Sequence, residues 1–259
     1  MERLLGTLLA SALALTMVAP GAAQPTGHLD VMSSGGFTAA YQELSGAFTA
    51  ATGIELRTVY GASMGGADSS IPSRLDRGER ADVVILAREG LDRLIVAGHV
   101  VAGSEVDLAS SLVGMAVREG HPPPDISSVE AFVATLLAAE SVAYSASASG
   151  TYLATELFPR LGIAEAMALK STRVVGERVG AVVARGDAAV GFQQVSELLP
   201  IDGITYVGPI PDAVQKITTF SAGLTTAARN PDGARRLIRF LTAPEAAPVI
   251  TETGMRPAR

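Results

Sequence analysis

Short apolar strands alternate with helical segments along most of this 259-residue chain. The stretch ADVVILA at residues 81–87 is almost continuously apolar, which is typical of a strand buried on both faces of a sheet. It is followed by EGLDRLIVAGHV at residues 89–100, where apolar residues recur at helical spacing. The same succession recurs before and after this pair. The sequence therefore predicts an α/β fold with mixed, mostly parallel sheets and flanking helices.

The first 23 residues have the composition of a secretory signal peptide. Arg3 supplies the positive charge, residues 4–18 form an apolar run, and Gly21-Ala22-Ala23 is a small-residue cleavage site. We therefore expect residues 1–23 to be removed and the remaining chain to be periplasmic. No later stretch is long and apolar enough for a membrane span, so we expect no membrane insertion of the mature chain.

The composition argues against several classes of function. The chain has no cysteine and three histidines, at positions 28, 99 and 121, which lack metal-ligand spacing. Its formal net charge of −6 argues against a nucleic-acid partner, for which a basic stripe is expected. The common sequence motifs of nucleotide, zinc and hydrolase sites do not occur. We expect neither a metal nor a cofactor.

Two proline-rich segments mark candidate boundaries between domains. These are HPPP at residues 121–124 and GPIPDAVQ at residues 208–215. Two boundaries indicate that the chain enters a second domain and later returns to the first. We predict a discontinuous first lobe of residues 24–116 plus 213–259, and a second lobe of residues 117–212.

Small hydroxyl residues and glycines follow three of the predicted strands, and an amide pair follows a fourth. The segments are SSGG at 33–36, GASMGG at 61–66, SASASGT at 145–151 and QQVSE at 193–197. In open α/β sheets ligands bind at the carboxyl ends of strands, beside helix N-termini. Hydroxyl, amide and backbone N–H groups there bind an anion without a formal counter-charge. The candidate ligand-binding residues are Ser33, Ser34, Gly35, Gly36, Ser63, Met64, Ser145, Ser147, Ser149, Gly150, Gln193 and Gln194.

Each of these turns, taken alone, is also explained by ordinary helix capping. Their recurrence at four strand ends favours one shared cleft. Glycine would let a ligand approach the backbone closely.

Two arginines and a tyrosine are further ligand candidates. Arg88 directly follows an apolar strand, where a cation can bind a carboxylate bidentately, but a solvated arginine at a helix start fits equally well. Arg118 follows the strand that leaves the first lobe and is also consistent with a hinge salt bridge. Tyr144 ends a strand before the serine-rich turn, so its phenol either faces the ligand or fills the core.

The order of these segments resembles that of the periplasmic molybdate-binding proteins. The resemblance covers essentially the whole chain after the signal peptide. It is carried by SSGGFTAAYQELSGAFTAATGIELRTVYGAS (33–63), ADVVILAREGLDRLIVAGHV (81–100), ARGDAAVGFQQVSEL (184–198) and NPDGARRLIRFLTAPEAAPVITETGM (230–255). It implies a class II periplasmic binding protein fold, with two lobes joined by two crossovers and closing over a small anion. It further implies a monomer that serves the inner-membrane permease of an ATP-driven importer.

In that family, uncharged donors at the first two strand ends and a tyrosine of the second lobe hold the oxyanion. The matching positions here are Ser33, Ser34, Ser63 and the strand end at Gln194. This chain departs from the family in having Ser-Gly-Gly-Phe in place of Ala-Ser-Leu, and Gly-Phe-Gln-Gln in place of Gly-Ile-Val-Tyr. A wider site with amide donors also fits an organic carboxylate.

A divergent branch of similar proteins comprises enzymes, and this chain is similar to aconitate isomerase in its YSASASGTY and GFQQVSEL segments. The favoured hypothesis is a solute-binding protein, and the alternative is an isomerase that shifts a double bond between cis- and trans-aconitate. The alternative requires a base that removes a proton α to a carboxylate. Glu197, Tyr144 and His121 are the candidates, and the sequence does not select among them.

Overall fold

The computed structural model describes residues 27–258, which form two mixed β-sheets flanked by helices. This confirms the predicted fold class. The predicted signal peptide lies outside the described residues. Among residues 27–258, no helix is long and apolar enough to cross a membrane.

The first sheet has six strands in the order β11-β4-β10-β3-β1-β2. The strands β1, β2 and β3 are parallel, and β10 runs antiparallel between β3 and β4. Their bounds are β1 His28–Ser33, β2 Glu55–Tyr60, β3 Val83–Ala87, β4 Val106–Ser111, β10 Thr218–Leu224 and β11 Arg256–Pro257. We call this sheet and the helices that pack on it the first lobe.

The second sheet has five strands in the order β7-β6-β8-β5-β9. Here β6, β7 and β8 are parallel, whereas β5 is antiparallel to both of its neighbours. Their bounds are β5 Val113–Arg118, β6 Val142–Ser145, β7 Ser171–Val174, β8 Val190–Gln194 and β9 Ile204–Pro209. This sheet and its helices are the second lobe.

Helices connect most of the strands. The α-helices are α1 Thr38–Thr52, α2 Ile71–Asp76, α3 Arg88–Val96, α4 Val129–Ala138, α5 Ala148–Tyr152, α6 Phe158–Arg160, α7 Ala164–Ala168, α8 Val179–Arg185, α9 Val195–Leu198, α10 Pro231–Leu241 and α11 Ala246–Glu252. A π-helical turn, Leu153–Leu157, joins α5 to α6, and 3-10 turns lie at Gly35–Phe37 and Asp212–Val214.

The chain crosses between the sheets twice. The first crossing is at Leu112, between β4 and β5, and the second is the segment 210–217 between β9 and β10. The second crossing overlaps the predicted GPIPDAVQ boundary, whereas HPPP lies beyond β5 within the second lobe. The whole of β5 pairs in the second sheet. The division of the chain at residues 116 and 212 stays a prediction.

Each lobe has its own apolar core, and this is what makes the short strands stable. All five residues of β3 are buried, as its continuous apolar sequence predicts. Phe37 and Phe48 belong to the same apolar cluster as alternate residues of β3. In the second lobe the Phe132 and Phe192 rings meet edge to face, with centroids 5.9 Å apart.

Polar contacts hold the two lobes together. The Ser196 hydroxyl of α9 donates to the carbonyl oxygen of Gly36 at 2.7 Å. Lys216, in the second crossing, forms ion pairs with Glu89 of α3 at 3.0 Å and with Glu156 at 3.1 Å. These contacts bring the ends of the first-lobe strands against those of the second lobe.

A buried carboxylate, Asp82, ties three separate segments of the first lobe together. Its Oδ2 accepts from the backbone N–H of Asp30 at 2.8 Å. Its Oδ1 accepts from the backbone N–H groups of Arg229 and Asn230 at 2.7 and 2.9 Å. One side chain therefore links β1, the start of β3 and the N-terminus of α10.

We expect Asp82→Ala to lower the free energy of unfolding by about 3 kcal/mol, because three backbone donors lose a charged acceptor. Asp82→Asn should have a smaller effect, because its amide oxygen can still accept from Arg229 and Asn230. Urea unfolding at neutral pH measures both values, with the exposed Glu43→Ala on α1 as the control. Equal stability of Asp82→Ala and Glu43→Ala would contradict this role.

Candidate functional site

A cleft of about 380 Å³ lies between the two lobes. First-lobe residues that line it include Gly35, Thr38, Tyr60 and Gly61. Second-lobe residues that line it include Ser145, Ser147, Arg178, Gln193 and Glu197. The cleft thus brings together parts of all four segments that the sequence marks as ligand-binding turns.

The position of the cleft follows from the strand directions. Parallel strands of each sheet end at the same edge, and β1, β2, β6, β7 and β8 all end beside the cleft. The residues that line it are those at or just after the strand ends. Both sheets contribute such an edge, so a ligand in the cleft would contact both lobes.

Serines connect the two lobes at one wall of the cleft. The backbone N–H of Ser63 donates to the Ser147 hydroxyl at 3.2 Å. Ser147 in turn donates its backbone N–H to the Ser145 hydroxyl at 3.0 Å. The Ser63 hydroxyl oxygen accepts from the backbone N–H of Ala87 at 2.9 Å. Ser63 therefore braces the cleft wall, while Ser145 and Ser147 line the cleft itself.

The most unusual group in the cleft is a buried acid, Glu197, in the first turn of α9. Its Oε1 accepts from the side-chain amide of Gln193 at 2.8 Å. The orientation of that amide is fixed, because the Gln193 Oε1 accepts from the backbone N–H of Val179 at 2.8 Å. One oxygen of the Glu197 carboxyl group therefore accepts from the Gln193 amide, whose orientation is fixed by its second hydrogen bond, from Val179.

Burial raises the pKa of Glu197 from an ordinary 4.5 to about 7. Desolvation is the largest cause, and the positive charge of Arg178 and the Gln193 hydrogen bond offset it in part. A carboxyl group with this pKa exists in both protonation states at neutral pH. It can therefore both accept and donate a proton there.

Because Gly35 has no side chain, there is room beside it for the Glu197 carboxyl group. A Cβ atom at position 35 would overlap the Glu197 carboxyl oxygen Oε1. A Cβ atom at Gly36 would overlap the ring of Phe220 in the same way. Neither glycine has a positive φ, so close packing explains these glycines, and backbone conformation does not.

Arg178 is a cation of the cleft that the sequence interpretation missed. It precedes α8, is half-buried and forms no ion pair within residues 27–258. The missed signal is the strand β7, whose sequence Ser-Thr-Arg-Val lacks an apolar pattern because its middle residues are exposed. With that strand recognised, the segment 175–178 would have been a fifth strand-end turn.

The other predicted ligand residues fall into two groups. The first group is buried beside the cleft residues and does not line the cleft: Ser33, Ser34, Gly36, Ser63, Ser149 and Gln194. Within this group the hydroxyls of Ser34 and Ser149 and the Gln194 Oε1 have no hydrogen-bond partner in the described residues. Buried polar atoms rarely stay unpaired, so these are candidates for contact with a bound molecule or water.

The second group lies elsewhere. Met64, Tyr144 and Gly150 line another cavity. The Arg88 guanidinium is bound by Asp92 at 2.7 Å and by Asp107 at 3.0 Å and does not line the cleft. Arg118 and His121 are exposed, and neither lines the cleft. Of the three candidate bases, the structure brings Glu197 alone into the cleft.

The two-lobe architecture with a cleft at the strand ends is that of solute-binding proteins. The chain belongs to the bacterial extracellular solute-binding protein family, whose family model matches residues 29–256. The resemblance to molybdate-binding-like proteins is thereby confirmed.

The comparisons also identify individual similar proteins. A protein named aconitate isomerase from a Pseudomonas species is 45% identical over 253 residues, which cover 98% of this chain and 97% of that protein. The periplasmic molybdate-binding protein of Azotobacter vinelandii is 18% identical with a TM-score of 0.72, covering 89% of this chain and 100% of that one. The sulfate-binding protein SubI of Mycobacterium tuberculosis is 19% identical with a TM-score of 0.72, covering 90% of this chain and 87% of that one. The two solved structures support the fold.

The raised pKa of Glu197 has a consequence for stability. Between pH 4.5 and about 7 the folded protein binds more protons at this group than the unfolded chain does, so this group's contribution to stability falls as pH rises. We expect Glu197→Gln, which stays neutral and keeps the Gln193 hydrogen bond, to be about 3 kcal/mol more stable than wild type at pH 8.

The difference should shrink towards zero near pH 4.5. Urea unfolding of both proteins across this pH range measures it. The exposed Glu140→Gln provides the matched control, with no expected gain. A pH-independent difference between Glu197→Gln and wild type would show that Glu197 has no raised pKa.

Proposed function

We propose that this protein is an isomerase of the aconitate isomerase type, which shifts the double bond between trans- and cis-aconitate in the cleft between its lobes. The observation that carries the proposal is the buried acid Glu197 in a cleft that also offers neutral donors and the cation Arg178. The other acid of the lining, Glu177, is exposed and is paired with Arg185 at 2.8 Å. The 45% identity to a protein named aconitate isomerase supports the choice of substrate.

In a cleft that only traps an anion, a buried carboxyl group is useful only in its protonated form, because its negative form repels the ligand. A proton-transfer enzyme, by contrast, needs such a group. Its pKa should lie near the working pH, so that the carboxylate form is populated and the proton is readily returned. Glu197 fits this requirement.

The proposed reaction is a proton shift over three carbons. The Glu197 carboxylate takes a proton from the methylene carbon, which lies between a carboxylate and the double bond. That C–H bond breaks, and its electron pair spreads over the three-carbon unit and the adjacent carboxylate. The proton held on Glu197 exchanges with solvent, and Glu197 then donates a proton to the former vinyl carbon, where a new C–H bond forms. Atoms and electrons balance without a cofactor.

Other groups of the cleft have supporting roles in this proposal. Arg178 binds one substrate carboxylate and sets the methylene carbon near Glu197. The hydroxyls of Ser145 and Ser147 donate to the remaining carboxylates. Such fixed donors stabilise the negative charge that develops on the substrate. Gln193 holds Glu197 in position.

A second candidate function is the trapping of an anion for an ATP-driven importer. It is favoured by the family to which the chain belongs and by the fold shared with molybdate- and sulfate-binding proteins. In this alternative the periplasmic protein, as a monomer, closes on an oxyanion or organic carboxylate and presents it to an inner-membrane permease. Glu197 would then be a neutral donor, protonated in the complex.

The test is incubation with trans-aconitate in heavy water, followed by proton NMR. We expect cis-aconitate to form with deuterium on its methylene carbon. Glu197→Gln should lower kcat by about 10²-fold or more, whereas the exposed Glu140→Gln should leave it unchanged. For the wild type, kcat/KM should rise with pH up to about 7, because the base must be ionised.

Protection of the protein by trans-aconitate in a thermal unfolding experiment, without deuterium uptake or product, would refute the isomerase proposal and favour the importer alternative. Full activity of Glu197→Gln would exclude Glu197 as the base.

A further inference from the structure

A second cavity, of about 390 Å³, lies between the lobes and shares no lining residue with the cleft. Residues that line it include Met64 and Arg93 of the first lobe and Tyr144, Thr151, Thr155 and Arg173 of the second. The proposed reaction uses none of these side chains.

Both arginines of this cavity lack a carboxylate partner. Arg93 forms no ion pair or side-chain hydrogen bond within residues 27–258. Arg173 donates to two backbone carbonyl oxygens, those of Gly65 at 2.9 Å and Ala146 at 3.3 Å. No acidic residue lines the cavity in the described part of the chain. The cavity therefore carries two positive charges, both on exposed side chains, that have no carboxylate partner among residues 27–258, in a protein of formal net charge −6.

The rest of the lining indicates the chemistry of the ligand. Met64 is apolar, the half-buried Tyr144 ring packs edge to face on Phe158 at 6.1 Å, and Thr151 and Thr155 offer hydroxyl groups. Guanidinium groups bind planar carboxylates bidentately. Apolar side chains beside them favour a ligand with a carbon skeleton over an inorganic oxyanion.

We propose that this cavity is a second anion-binding site, specific for a small organic di- or tricarboxylate, with Arg93 and Arg173 as its cationic residues. Arg93 lies on α3 of the first lobe and Arg173 on β7 of the second, so a bound polycarboxylate bridges the lobes. Because Arg173 also bonds Gly65 and Ala146, and Ala146 lines the cleft, the occupied site stabilises the cleft wall. The stability of the cleft wall would thereby depend on the concentration of the carboxylate that binds at this second site.

The test is isothermal titration calorimetry with propane-1,2,3-tricarboxylate, which has no double bond and cannot isomerise. We expect two sites per wild-type chain. Arg93→Gln and Arg173→Gln should each retain one site, that of the cleft. Arg239→Gln removes an exposed arginine of α10 that lines neither cavity, and should retain two.

Arg178→Gln separates this proposal from the proposed function. A site that persists in Arg178→Gln and is lost in Arg93→Gln supports the second site, even if the wild type binds a single equivalent and catalyses nothing. A single site that is lost in Arg178→Gln and unchanged in Arg93→Gln overturns the proposal of a second anion-binding site. Displacement of the tricarboxylate from the second site by an equal concentration of sulfate contradicts the assignment to organic carboxylates.

Discussion

The burial of one carboxyl group between the lobes constrains the structure more than any other interaction in the cleft. Glu197 lies where the first and second lobes meet, against the backbone of Gly35. Removing a carboxyl group from water has a large free-energy cost unless it is protonated or paired. The Gln193 amide and the charge of Arg178 offset part of that cost. The remaining cost appears as the raised pKa of Glu197.

Several local features follow from this constraint. A side chain at position 35 would displace the Glu197 carboxyl group from its present place or separate the lobes. The turn that contains it is held by Ser196, the neighbour of Glu197, through the carbonyl oxygen of Gly36. The Gln193 side chain must keep its bond to Val179 in order to present its N–H to Glu197. The proposed base is thus held from both lobes at once.

The sequence predicts the fold well, because the patterns that indicate each strand and helix lie within short stretches of the chain. The apolar run of β3, the helical spacing of α3 and the serine- and glycine-rich strand ends each follow from short stretches of chain. The positions of the strand ends also predict where a cleft will lie. The sequence does not predict that Leu112 separates two strands, because a crossing between sheets leaves no change in apolar pattern there.

The roles of individual residues were harder to predict, because they depend on contacts between distant segments. The sequence predicts that the glycines of the SSGG turn let a ligand approach the backbone. In the structure Gly35 lines the cleft, and added Cβ atoms at Gly35 and Gly36 would overlap Glu197 and Phe220. Arg88 was a candidate ligand residue, but two nearby aspartates bind it. Glu197 could not be separated from Tyr144 and His121 until its burial was known, because burial is a property of the packed lobes.

The two candidate functions of this fold use the same cleft and many of the same donors. A binding protein holds an anion with neutral donors of both lobes, and the donors at the ends of β6 and β8 are of that kind. Adding one acid to such a cleft changes its chemistry, because the bound anion is then placed beside a group that can remove its proton. The acid must be buried to have a pKa near 7, and burial requires the small residue opposite it. A change from transport to catalysis on this fold would therefore need few substitutions, provided that the acid and the glycine occur together.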